Sequence, residues 1–219
     1  MTVLSSREGY RLWAPLYSRE TPVSFLDDCL IEQLAIPLEG RSLLDAGCGI
    51  GRRMRETGAA TAVGLDLSPE MLAEAHQDEA LVVADVRTIP LAADSFDVVW
   101  CRLVLGHITQ IAPVYAELAR VCRPGGTVIV TDFHPDAVRK GHRRSFRDEK
   151  GAVREIEHHV HQPGVHVRNA EKAGLESVAR LNGAVGPLVR HLYKKAARLD
   201  LYHAHFGTRL VIAFAFKKT

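Results

Sequence analysis

A chain of 219 residues with 47% hydrophobic and 25% charged side chains can bury one sizeable core, and no linker divides it into equal halves. No run approaches the roughly 20 apolar residues of a membrane span, and the start "MTVLSSREGY" lacks a signal-peptide core, so a cytoplasmic protein without a membrane partner is expected. Cys29, Cys48, Cys101 and Cys122 never approach a C-x-x-C spacing, which points to neither a disulfide framework nor a cysteine zinc site. The net charge of +2 hides an asymmetry. Residues 1–132 carry 11 Lys/Arg against 18 Asp/Glu, whereas residues 133–219 carry 17 against 8, with nine of the 11 histidines.

In chain order, "VSFLDDCLIEQLAIPL" reads as a helix packed on a sheet. Ser42 to Asp45, Ala62 to Asp66, Ala80 to Ala84, Phe96 to Arg102 and Thr127 to Asp132 read as five apolar, unalternating strands, the pattern of a buried parallel sheet. Between them, "DLSPEMLAEA" offers Ser68 as a cap and Pro69 at the first helical position. A helix from about Gln110 to Val121 places Ile111, Val114, Leu118 and Val121 on one face and ends at "RPGG". Residues 133–167 are polar and weakly periodic, and Glu176 to Leu181 and Arg209 to Phe216 supply two further strands. The alternation is that of an α/β fold.

The stretch "SLLDAGCGIGRR" sets Gly47, Gly49 and Gly51 in the turn after the first strand, with a helix expected to open over Arg52 to Glu56. Glycines there allow positive φ and close approach of a ligand. A dinucleotide fingerprint G-x-G-x-x-G would need glycine at position 52, where Arg52 stands. Asp66 ends the second strand and Asp85 follows the third. An acid at the first position can accept both ribose hydroxyls, and one at the second can accept an adenine amine.

With these pieces the chain resembles the class I S-adenosylmethionine-dependent methyltransferases, small-molecule branch, which includes ubiquinone- and biotin-pathway enzymes. The matching segments are "YRLWAPLY", "LLDAGCGIG", "VGLDLSPEML", "VVADVRTIPLAADSFDVV", "LVLGHI" and "RVCRPGGTVIVTD", covering residues 10–132 in order. The resemblance implies a Rossmann-like, doubly wound, seven-stranded and mainly parallel sheet whose last strand, Arg209 to Phe216, is antiparallel. It implies one domain over 1–219: an N-terminal helical lid (1–40), a cofactor-binding core (41–132), a substrate-side insertion (133–167) and a C-terminal completion of the sheet (168–219). It puts Gly47 and Gly49 against the methionine moiety of S-adenosylmethionine, with Asp45 and Cys48 in the same turn, and Asp66 on the ribose. Leu67 and Met71 flank the adenine, Asp85 and the Val86 amide bind its edge, and Cys101 and Arg102 line the other side. Tyr10, Trp13 and Tyr17 match the family's aromatic lid. Only 13 positions separate Gly51 from Gly64, which leaves the first helix about two turns.

For catalysis, His134 and His107 follow the fifth and fourth strands at the ligand edge and are the candidates for a general base or an orienting group. In "EHHVHQPGVH", His159 and His161 would share a strand face, yet no carboxylate or cysteine completes a metal site, so a solvated or substrate-facing cluster is expected. In the run "RKGHRRSFR" only Phe146 interleaves as an aromatic, so a solvated loop, or a charged lid for a small anionic or carrier-bound substrate, is expected before a nucleic-acid contact. A nucleic-acid or protein methyltransferase and a non-catalytic cofactor-binding protein are the alternative readings. The segment "CRLVLGHIT" lacks the asparagine-proline-proline-aromatic motif of the first.

Overall fold

The computed structural model describes residues 3–55, 57–76 and 80–219. In chain order the elements are β1 (Val3–Leu4), α1 (Ser6–Trp13), α2 (Pro22–Leu34), β2 (Ser42–Ala46), β3 (Thr61–Asp66), α3 (Pro69–Ala73), β4 (Ala80–Val83), β5 (Phe96–Arg102) and α4 (Ala112–Val121). They continue with β6 (Cys122–Phe133), α5 (Pro135–Arg139), β7 (Ser145–Arg147), β8 (Val153–Ile156), α6 (Pro163–Lys172), β9 (Leu175–Ala184), α7 (Arg190–Lys195), α8 (Leu199–His205) and β10 (Arg209–Lys218).

Seven strands form one sheet in the order β4-β3-β2-β5-β6-β10-β9, parallel except for β10, which runs antiparallel to both its neighbours. The strand order reverses at β2, which pairs with β3 on one side and β5 on the other. In an open α/β sheet, that switch point is where ligands bind. β10 is buried on both faces, and its alternation divides the core. Ile212, Phe214 and Phe216 pack with Val114, Tyr115 and Leu118 of α4, while Val211 and Ala213 pack with Leu26 and Leu30 of α2.

Local chemistry accounts for the helix starts. Thr21 and Ser24 form a capping box at α2, with Pro22 at its first position, and the Ser68 hydroxyl accepts from the Met71 N–H at α3. Three expectations need correction. Residues 51–55 form turns instead of opening a helix, because Gly51 is left-handed (φ 69°) and Arg52 and Arg53 are drawn to Asp28 and Asp27; Glu56 lies outside the described residues. β6 begins at Cys122 and takes in the "RPGG" segment. Its pairing with β5 jumps from Phe96↔Cys122 to Val98↔Thr127, so Arg123, Pro124 and Gly125 bulge outward, exposed.

The third correction concerns the polar stretch 133–167, which carries more order than its weak periodicity predicts. β8 pairs antiparallel with β7 and parallel with β1, making a small second sheet whose Leu4, Phe146 and Ile156 pack on Leu12 and Trp13 of α1. The N-terminal segment and this insertion therefore form one body. His159 and His161 share no strand face, since residues 157–162 form no strand; His161 Nε2 lies against the carbonyls of Leu105 and Ile108.

Candidate cofactor site

Beyond the carboxyl ends of β2, β3, β4 and β5 lies a cavity of 230 Å³. Its floor is the glycine turn. The N–H groups of Gly47 and Cys48 both donate to the Leu65 carbonyl, folding the chain back over the end of β3. Gly47 has φ 90°, and a Cβ there would fall 2.2 Å from Val104 Cγ2; Gly49 has φ 59°. Neither position admits a side chain, which leaves the cavity open above bare backbone.

Asp66 borders this space with both oxygens engaged. Oδ2 accepts from the Gly49 N–H (2.8 Å) and Oδ1 from the Ser68 N–H (2.9 Å), while burial pushes its carboxyl above the ordinary range. Each oxygen keeps a further lone pair for a ligand hydroxyl. Asp85 accepts from the Arg87 N–H and from its guanidinium, and that hydrogen bonding holds its carboxyl below the usual range. Leu67, Met71 and Val86 supply the apolar walls.

Tyr10 and Tyr17 close the cavity from the N-terminal side. Tyr10 is fixed by a directional chain of hydrogen bonds. Arg144 Nη2 donates to the Tyr10 hydroxyl (2.9 Å), so the hydroxyl proton points to His107 Nε2 (2.9 Å), and His107 Nδ1–H faces the Glu157 carbonyl (3.2 Å). Burial and the Arg144 charge push His107 down to about 3, so its imidazole is neutral at neutral pH.

Of the expected site residues, Tyr10, Tyr17, Gly47, Gly49, Asp66, Leu67, Met71, Asp85, Val86, Arg102 and His107 border this cavity. Others do not. Cys101 is fully buried in the main core, and Asp45 is 1% exposed, with both carboxylate oxygens lacking a hydrogen-bond partner. Trp13 and Cys48 border a smaller neighbouring chamber of 50 Å³. His134 turns away altogether, because its Nδ1 accepts from the Asp136 N–H as the N-cap of α5. Arg102 reaches away from the ligand space as well: its guanidinium, 3% exposed, pairs with Asp27 (2.8 Å) and Asp28 (2.6 Å) of α2.

Sequence reasoning overlooked Ser6, Arg7 and Leu103 on the cavity wall, and the burial of Arg144. Leu103 is left-handed (φ 60°), its N–H held by the Thr131 carbonyl and hydroxyl. Strained non-glycine backbone of this kind gathers at functional sites and carries no sequence signal. The partial burial of Arg144 had a faint one, because it stands two positions before apolar Phe146, on the same face of an extended segment.

A doubly wound sheet with a glycine turn at its switch point, followed by acids after the next two strands, defines a Rossmann-like cofactor-binding protein. A family model described as a methyltransferase domain matches residues 44–130. The chain is 30% identical over 192 residues to a ubiquinone biosynthesis O-methyltransferase of Ralstonia nicotianae, covering 82% of this chain and 79% of that protein. It is 40% identical over 102 residues to a malonyl-[acyl-carrier protein] O-methyltransferase of Enterobacter lignolyticus, covering 44% of this chain and 40% of the relative, so the match spans about two fifths of that relative's length. A solved S-adenosylmethionine-dependent methyltransferase from Mesorhizobium loti superposes with a TM-score of 0.67 at 20% identity, over 88% of this chain and 97% of that one. The chain belongs to the S-adenosylmethionine-dependent methyltransferases.

Proposed function

We propose that this chain transfers the methyl group of S-adenosylmethionine to a small-molecule acceptor that carries a carboxylate. The observation that carries the reading is the cavity itself: bare backbone at Gly47 and Gly49, with the buried Asp66 carboxylate at the end of the next strand. These residues fit the cofactor. The glycine cradle leaves room for the methionine moiety, Asp66 accepts from the ribose hydroxyls, and Leu67, Met71 and Val86 sandwich the base. Asp85, with Arg87, lies at its edge.

When bound, S-adenosylmethionine supplies a sulfonium methyl to the acceptor nucleophile, the carbon–sulfur electron pair remaining on sulfur as S-adenosylhomocysteine. Alignment and exclusion of water are what the protein must add. Tyr10 and Tyr17 cover the cavity, and their ring faces favour a nearby cation. His107 acts through Tyr10. With a neutral ring pushed down to about 3 and Nε2 already receiving the Tyr10 proton, it orients that hydroxyl and makes a poor general base.

Arg144 supports the acceptor class. Arg144 is half-buried, donates to Tyr10 and lies 5.7 Å from the Trp13 ring centroid, yet its buried Nε has no partner and no carboxylate pairs with it among the described residues. A partly buried cation with an unpaired N–H and no counter-charge is unfavourable, and a substrate carboxylate would satisfy both. A carboxylate nucleophile also has no proton to lose, which matches a site without a free base.

The test is detection of S-adenosylhomocysteine formation over carboxylic acids, phenols, thiols and amines, with wild type and Arg144→Gln. Carboxylates should be the accepted class, and the variant should lose about tenfold or more in kcat/KM for them, the scale of a lost charge-assisted hydrogen bond. Turnover of phenols or amines alone, unaffected by the variant, would contradict the assignment.

A further inference from the structure

Three cavities stand in a row. The cofactor cavity and the 50 Å³ chamber share only Tyr17 and Leu103 among their lining residues. That chamber and a third cavity, of 270 Å³, share only Arg144, while the third cavity and the cofactor cavity share none. The 50 Å³ chamber has room for about three to five waters at about 10–15 Å³ each, hence for a head group and not a whole substrate. The third cavity approaches the size of a small-molecule site. Val3, Phe133, Val138, Ile156 and Val160 supply its apolar wall; the rest is polar, with His142, His158 and Glu157 beside Arg143 and Glu155, whose opposite charges face each other at 3.8 Å.

We infer that the third cavity is a vestibule for the apolar body of the acceptor, whose carboxylate head passes Arg144 into the chamber and meets the cofactor across Tyr17 and Leu103. The inference rests on the methyltransferase reading above and adds the shape of the substrate: an acid with an aliphatic body, not a short polar one. Its position also gives acceptor and cofactor separate routes into the protein. The acceptor comes in beside exposed Val3, over the small sheet of β1, β7 and β8, whereas the cofactor cavity opens beside exposed Leu67.

The experiment titrates butyrate, hexanoate, octanoate and decanoate into the protein saturated with S-adenosylhomocysteine, by calorimetry, for wild type, Val160→Trp and the rim variant Val3→Trp. Affinity of the wild type should rise severalfold with each added pair of carbons until the vestibule is full. Val160→Trp, which fills the vestibule, should lower decanoate affinity at least tenfold and change butyrate and S-adenosylhomocysteine affinities by less than twofold. Val3→Trp, at the rim, should reduce decanoate affinity in the same sense. Equal affinity for all four acids, no binding of any of them, or decanoate affinity untouched by both substitutions would overturn the inference while leaving the cofactor site standing. Failure of S-adenosylhomocysteine itself to bind would instead overturn the reading beneath it.

Discussion

Burial raises the Asp45 carboxyl to about 6, against the pull of the nearby Arg102 and Arg53 charges. The folded state therefore holds this proton more tightly than the unfolded chain, whose carboxyl titrates near its ordinary value of about 3.9. Its contribution to stability is present below about pH 4 and is lost as pH rises towards 6. Removing the ionisable group in Asp45→Asn should cancel that slope. The stability difference between variant and wild type, read from urea unfolding, should shift in the variant's favour by about 2–3 kcal/mol between pH 4 and 6.5 and level off above it. A difference that does not change with pH would show that Asp45 titrates normally.

At this scale the sequence separates some residues and not others. The place of Gly47 and Asp66 at the cavity is legible because each stands at a strand end. His134 is a candidate from its place just past the fifth strand, at the ligand edge, but its side chain turns back to cap α5, where Nδ1 accepts from the Asp136 N–H. Arg143 and Arg144 are identical in kind and adjacent, yet one is exposed and the other holds Tyr10. Arg144, whose carbonyl accepts from the Ile156 N–H at the end of β8, turns to the inner side that Phe146 shares, and Arg143 turns outward.

Helix α2 is anchored to the sheet by charge as well as by Leu26 and Leu30. Asp27, fully buried, receives Arg102 from the end of β5 and Arg53 from the segment after the glycine turn. Breaking such a cluster from one side leaves a buried carboxylate short of a partner, so Arg102→Ala should cost about 3 kcal/mol in urea unfolding. A loss below about 1 kcal/mol would mean that Arg53 alone balances Asp27. The central strands were legible because both their faces are buried and their apolar runs are unbroken. The small sheet was not, since β1, β7 and β8 are two to four residues long and gain their stability from one another.

Across the whole molecule, the acidic and basic parts of the sequence do not occupy separate bodies. β1 from the beginning of the chain joins β8, and β10 from its end pairs with β6, so the basic portion completes both sheets. Arg144, from the basic portion, reaches Tyr10, and through it the cofactor cavity. The first 132 residues line the cofactor cavity and nearly all of the small chamber beside it, and the basic portion adds Arg144 to that chamber and most of the third cavity's wall. If the cavity over the glycine turn holds S-adenosylmethionine through Asp66, calorimetric titration with S-adenosylhomocysteine should find one site per chain in the wild type. Asp66→Ala should weaken it by about 1.5–3 kcal/mol, or roughly ten- to a hundredfold in Kd, with folding retained. Equal affinity in the two proteins, or no binding to the wild type, would contradict that placement of the cofactor.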